Sequence, residues 1–479
     1  MNIEEMKVRE AEKRKAELLR IEEKRGSEAA EAMADYLTLF DEGFYIWLAN
    51  LYDPETGALY YSNSARDNKT VILDGWECEL LPDLESTPRG YGWLAGVGML
   101  ENYNDSLKEA FPVWLTEKLI KWTQGLQSPE DGYFYHPQWQ GRETVSRLGR
   151  DLDYATTFLK RLGGDILYDT PNGCKGIYGA PRRATAAKDG GAVTAMPEHL
   201  KDIGKFREYL DSFDWEKNSY SSGNTFESQW AQIRSAGDEF INAYKAYLDG
   251  RQEKMQERLR SEAEAALLER KPDATADEIK AARDAAENGI WEPKLRYNAV
   301  NGLMKIGSTY TRLGLKLNYI EKAFESALRM VMLEEPDADG KTAGASVDVY
   351  NPWCCLNQLI SNAEKFHSPE LAARLRKRIT DNAAELIRIT RRKASVFRKP
   401  DGSYGYMSYG VPCRSQMMPV AIPDTNEGDV NGGTIATRTI IGHMCEALGV
   451  KCPSLYFGSD YEKFISIIEK KNAEYLAKK

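Results

Sequence analysis

Of the four histidines in the chain, one stands in chemically suggestive company. His136 lies in the aromatic stretch Tyr133-Phe134-Tyr135-His136-Pro137-Gln138-Trp139. An imidazole there can act as acid or base near neutral pH, and Tyr135 beside it carries a second exchangeable proton. The other three histidines border helix starts or fall inside a helical pattern, and they read as structural. A little further on, Arg147, Arg150 and Asp151 open a helical segment. One turn separates the two guanidinium groups, so they share a face and can grip a carboxylate or sulfate. Asp151 and Asp153 also suit the positive end of that helix without any further role.

Carboxylates recur just ahead of other helices: Glu85 in Asp83-Leu84-Glu85-Ser86, Asp348 in Asp348-Val349-Tyr350-Asn351, and both Glu427 and Asp429 in the Gly-rich stretch 427–434. If they converge, they supply the paired acids that glycoside hydrolysis needs; taken singly, each is also a good helix-capping segment. Tyr404 and Tyr406 are further candidate proton carriers. Asn351 and Arg414 can steady charge that develops on a substrate carboxylate. Tyr60, Tyr61, Tyr133, Tyr135, Trp139, Tyr404, Tyr406 and Tyr409 add rings with a polar edge, which suit the apolar face and polar rim of a sugar.

These residues are carried by a repeated unit. Trp47 and Trp122 each end a helical segment and are followed, at equal spacing, by Pro54-Glu55-Thr56-Gly57-Ala58-Leu59-Tyr60-Tyr61 and Pro129-Glu130-Asp131-Gly132-Tyr133-Phe134-Tyr135-His136. Pro400-Asp401-Gly402-Ser403-Tyr404-Gly405-Tyr406 keeps the turn without the Trp. Pro stops the helix, Gly supplies a positive φ, and a short aromatic strand leaves the turn. One buried helix is expected from Glu28 to about Leu51. Apolar periodicity predicts others over 86–102, 110–127, 147–163, 226–249, 252–270, 275–287, 292–314, 317–333, 351–366, 369–393, 434–448 and 460–477. The stretches 53–84, 131–146, 165–225, 335–349 and 398–433 are too long for passive connections.

The chain has 479 residues, a formal net charge of −9 and 42% hydrophobic residues. No basic, aromatic-interleaved tract invites a nucleic acid, no apolar stretch of membrane-spanning length occurs, and the N-terminus lacks a signal-peptide core. Seven cysteines without a CxxC pair point to reduced thiols and a cytoplasmic protein, with no structural zinc site. The loop Asn426–Asp429 lacks the ligand pattern of an EF-hand, and Gly432-Gly433-Thr434 lacks the Lys of a phosphate-binding loop, so no metal or cofactor is expected. Residues 1–26 read as a charged helical extension, 27–479 as a single domain, and 252–287 as a charged helical excursion from it.

The helix followed by Gln127-Ser128-Pro129-Glu130-Asp131-Gly132-Tyr133-Phe134 resembles the Gln…Gly-x-aromatic repeat of α/α-toroid proteins. That superfamily embraces terpenoid cyclases and is similar in architecture to the barrels of polysaccharide lyases and glycoside hydrolases. The resemblance implies an all-α toroid of helical hairpins with little β structure. It carries little about function, because the architecture hosts several chemistries. Asp151-Leu152-Asp153 is followed by Tyr154, so the acid motif of isoprenoid cyclases is incomplete.

Together these features predict a carbohydrate-active enzyme that cleaves a glycosidic bond in an acidic oligosaccharide. β-Elimination is slightly favoured, with His136, Tyr135, Tyr404 or Tyr406 moving protons and Arg147, Arg150, Asn351 and Arg414 binding the acid. A hydrolase using Glu85, Asp151, Asp348, Glu427 or Asp429 and a non-catalytic sugar- or protein-binding helical scaffold are the alternatives. The oligomeric state is left open.

Overall fold

The apolar periodicity of the sequence is realised almost wholly as helices. A computed structural model describes residues 3–68, 70–183 and 197–479. Part of the long stretch 165–225, residues 184–196, lies outside the described residues. The fold is all-α, and the described strands form only two small antiparallel hairpins, Thr70–Leu73 with Trp76–Glu79 and Arg414–Ser415 with Met418–Pro419. No described helix is long and apolar enough to cross a membrane.

Six helical segments pack beside one another in an order that crosses the whole chain. Ser219–Ser228 packs on Tyr297–Leu313, which packs on Ser346–Phe366, which packs on Ile440–Leu448. The short helix Val430–Thr434, which leads through a π-helical turn Ile435–Thr439 into Ile440–Leu448, packs on Ser86–Ala95, and that helix packs on Val145–Leu162. Other helices back this set: Ile320–Met332 packs on Ser346–Phe366 and Ala383–Ser395, and Ser27–Leu37 packs on Ala383–Ser395. One apolar cluster links them, from Ile21 through Trp93, Phe226, Tyr310 and Trp353 to Ile468.

The three repeat turns are built alike. Tyr52 bridges Leu59, Gln127 bridges Phe134 and Arg398 bridges Tyr404. Gly57, Gly132 and Gly402 take φ of 80°, 76° and 85°. Backbone hydrogen bonds Tyr60 N–Leu51 O, Tyr135 N–Leu126 O and Gly405 N–Phe397 O place Tyr61, His136 and Tyr406 at equivalent positions. Each emerging strand then ties to a helix start elsewhere: Val430 N donates to Tyr61 O, and Ser346 N donates to Tyr406 O. At the second turn side chains do this, with His136 Nε2 on Pro82 O at 2.7 Å and Leu81 N donating to Gln138 Oε1 at 2.7 Å.

Several boundaries differ from the periodicity. The expected helix 28–51 is two, Ser27–Leu37 and Glu42–Asn50, because Asp41 caps a new start by accepting from Gly43 N at 3.0 Å. The stretch 369–393 likewise divides into Pro369–Thr380 and Ala383–Ser395. Helix Ser346–Phe366 begins five residues ahead of the expected 351 and carries Pro352 inside it. The excursion is longer than read: Asp238–Arg270 runs unbroken before Ala276–Ala286 folds back on it. Residues 3–25 form the expected charged helix, and it is docked on the rest of the fold. Ile21 is buried, Ser454 Oγ donates to Glu17 at 2.8 Å, and Ser459 Oγ donates to Glu10 at 2.6 Å.

Candidate functional site

The six packed segments share one cavity of about 400 Å³. Arg89 comes from Ser86–Ala95, Arg150 from Val145–Leu162, and Tyr220, Asn224 and Glu227 from Ser219–Ser228. Lys305 comes from Tyr297–Leu313, Tyr350 and Asn351 from Ser346–Phe366, and Asn431 and Ile435 from the segment that leads into Ile440–Leu448. Tyr61, Tyr406 and Gln416, with Arg414 and Ser415 of the second hairpin, add to the wall. Of the fourteen residues singled out as catalytic or binding from the sequence, four reach this cavity: Arg150, Asn351, Tyr406 and Arg414.

The charges behind the cavity form a buried cluster. Glu85 accepts from Arg147 at 2.8 Å and from Arg150 at 2.9 Å, and Arg89 stands 3.7 Å away. Burial would raise the Glu85 carboxyl, but Arg150, Arg147 and Arg89 together hold it well below the usual carboxylate range. Arg147 is fully buried; it also pairs with Asp151 and lies over the Trp139 ring. It therefore cannot grip a ligand as expected. Asp151 is buried as well, and the Trp139 indole donates to it at 3.1 Å. Burial raises the Asp151 carboxyl against the pull of Arg147. Arg89 and Arg150 carry the cationic side of this cluster to the cavity wall.

The remaining cavity charges are Arg414, paired with Asp74, and Lys305, paired with Glu227 at 2.5 Å. Glu227 is the sole carboxylate among the lining residues. Asn351 Nδ2 donates to Asn301 Oδ1 at 3.0 Å, and Asn301 Nδ2 donates to Asp348 Oδ1 at 3.0 Å. The Asn351 and Asn431 side-chain oxygens are buried without a hydrogen-bond partner. Such acceptors carry a desolvation cost that a ligand hydroxyl would recover. Tyr406 is held by its backbone, which donates to Asp429 Oδ2 at 2.7 Å. Burial, and then the neighbouring Tyr220 hydroxyl, raise the Tyr406 phenol far above its ordinary value, so it stays protonated.

The other expected residues serve the framework. His136 is buried, with Nε2 on Pro82 O and Nδ1 accepting from Gln138 N at 3.3 Å. Burial pushes it down to about 4, so it is neutral and fully engaged, and it misses the cavity. Tyr135 donates to Asp131 at 2.7 Å, and Tyr404 is buried against Leu39 O. Asp348 caps its helix, accepting from Ala345 N at 2.9 Å and Gly344 N at 3.2 Å. Glu427 is tied down by Ser62, Ser64 N and Thr425. Asp429 caps Val430–Thr434 through Gly432 N at 2.7 Å, and burial pushes it up to about 6. Helix capping is the reading that holds for Asp348 and Asp429, while Glu85 is spent on the arginines.

Sequence reasoning missed Arg89, Tyr220, Asn224, Glu227, Lys305 and Asn431. Tyr220, Asn224 and Glu227 follow a helical spacing that marks one polar face, a signal divided between the loop stretch 165–225 and the expected helix 226–249. Compared with family models, with curated proteins and with solved structures, the chain matches none.

Proposed function

We propose that the chain is a carbohydrate-active enzyme with an (α/α) toroid architecture, which binds an acidic oligosaccharide in the central cavity and cleaves it by β-elimination. The composition of the cavity carries this reading: several arginines, tyrosines and asparagines, and a single carboxylate already paired with a lysine. Six helical segments that line one space are what a ring of inner helices would provide, which supports the resemblance to polysaccharide-lyase barrels.

In this reading Arg89 and Arg150 hold a uronic-acid carboxylate, and the pair with Glu85 fixes their direction. With the carboxylate neutralised, Tyr220 loses its own proton to solvent and, as the phenolate, takes the adjacent ring proton. The electron pair forms the new C=C bond, the bond from carbon to the leaving oxygen breaks, and Tyr406 returns a proton to that oxygen. Asn351 and Asn431 accept from sugar hydroxyls. Hydrolysis is less well supported, since it needs two acids facing the sugar, and Glu85, Asp151, Asp348, Glu427 and Asp429 are all engaged away from it.

The test is turnover of uronic-acid oligosaccharides by the purified protein, read as a rise in far-ultraviolet absorbance from the unsaturated uronide. Tyr406→Phe is expected to lower turnover by about 10²-fold or more with the fold intact. New reducing ends without that absorbance would point to the hydrolase instead, and no cleavage of any acidic glycan would end the enzyme reading.

A further inference from the structure

Arg89 is shared between the central cavity and a second one, of about 230 Å³, which Pro88, Gly92 and Trp93 of helix Ser86–Ala95 also line. Two more arginines face into it, Arg161 from Val145–Leu162 and Arg438 from the π-helical turn Ile435–Thr439. Among the described residues neither forms an ion pair. Arg438 reaches Gly92 O only at 3.5 Å. Burial lowers both guanidinium groups; Arg438 lowers Arg161 further, while Asp105 acts on each in the opposite sense.

The backbone makes room for these groups. A Cβ at Gly92 would stand 2.6 Å from Arg161 Nη1, and one at Gly96 would fall 1.9 Å from Arg438 Nε. The two glycines are one helical turn apart, so the last turn of Ser86–Ala95 and its cap present a bare backbone to the two guanidinium groups. Thr434 and Thr439 also line this cavity, with their hydroxyls donating to Asn431 O and Thr434 O. π-Helical turns are uncommon and gather at functional positions.

We propose that this second cavity is an oxyanion subsite, in which Arg161 and Arg438 together bind a sulfate or phosphate group. Two cations without ion-pair partners facing one space are the recognition chemistry of a tetrahedral dianion. The anion is either free in solution or carried by the glycan in the adjoining cavity. The subsite itself does not depend on the elimination chemistry; only the glycan-borne source rests on it.

Inorganic sulfate, titrated against sodium chloride at matched ionic strength, probes the subsite by calorimetry and by the thermal midpoint. Wild-type protein is expected to bind sulfate saturably. Arg161→Gln and Arg438→Gln should each weaken that binding at least tenfold, without lowering the midpoint in chloride. Gly96→Ala keeps both charges but displaces Arg438, and should weaken sulfate in the same way. No saturable sulfate binding, or equal binding by wild type and all three variants, overturns the proposal. The source is then read by comparing a sulfated uronic-acid disaccharide with its unsulfated counterpart. At least tenfold tighter binding of the sulfated form, lost in Arg438→Gln, assigns the group to the glycan; equal binding of the two forms assigns the site to a free anion. Because all arms measure equilibrium binding, failure of the subsite and failure of the elimination reading can be told apart.

Discussion

Burial sets two buried titratable groups against each other. Asp83 accepts from Glu85 N at 2.7 Å and Ser86 N at 2.8 Å, yet burial pushes its carboxyl up to about 7. Its folded value lies above its unfolded one, so its contribution is fully present in acid and is lost as pH rises through about 7. His136 behaves in the opposite way. Its folded value of about 4 lies below the ordinary 6.5, so its contribution is present above 6.5 and is lost as pH falls through about 4. Denaturant midpoints measured from pH 4 to pH 8 should separate the two. Asp83→Asn, which keeps an acceptor for the helix start, should gain stability relative to wild type as pH rises. His136→Gln should gain relative to wild type as pH falls. A wild-type-minus-variant difference that is flat with pH would show that neither group is buried as described.

At the scale of elements, the repeat turn is one local solution used three times, and its neighbours differ. All three glycines hold a positive φ, which costs a residue with a side chain about 1 kcal/mol or more. A Cβ at Gly57 would meet the flexible Lys118 side chain at 3.2 Å. At Gly132 it would meet Asp169 O at 2.1 Å, and at Gly402 the Gly43 Cα at 2.6 Å, both backbone. Replacement by Ala should therefore be mildest at Gly57, at about 1 kcal/mol by chemical denaturation, and more severe at Gly132 and Gly402. Equal losses at all three would mean that the turn conformation alone sets the cost. The turn was legible because Pro, Gly and the aromatics keep their spacing. Which ring would face the cavity was not. Tyr61, His136 and Tyr406 are equivalent in the backbone, but a tertiary contact with Pro82 draws His136 away while the other two line the cavity.

On the scale of the whole molecule, the N-terminal helix Ile3–Arg25 braces the last helices without touching the cavity. Arg25 Nε donates to Leu448 O at 2.6 Å, and Arg14 lies over the Phe457 ring, 4.7 Å from its centroid. Removal of residues 1–25 is expected to lower the thermal midpoint by several degrees, through lost burial at Ile21 and the lost bonds to Ser454 and Ser459. Sulfate affinity should stay within about twofold of wild type, since neither cavity draws a wall residue from this helix. A matching loss of affinity would show that the brace also shapes the cavities.

What the sequence determined by itself was local. Apolar residues at helical spacing dictated helices, Pro and Gly dictated the turns, and Asp348 and Asp429 dictated caps, because each depends on residues a few positions apart. Helix ends were less certain. Asp41 divides an otherwise continuous pattern, and Pro352 is carried inside a helix, since packing outweighs propensity there. Tertiary structure alone decided which charges are spent. Arg147 and Arg150 share a helix face, but one is sealed against Glu85 and Asp151 and the other opens on the cavity. It also brought Arg89, Tyr220, Lys305 and Asn431 to one wall from four distant segments. Burial and partnership over such separations have no period for a sequence to record; they arise only when the helices pack.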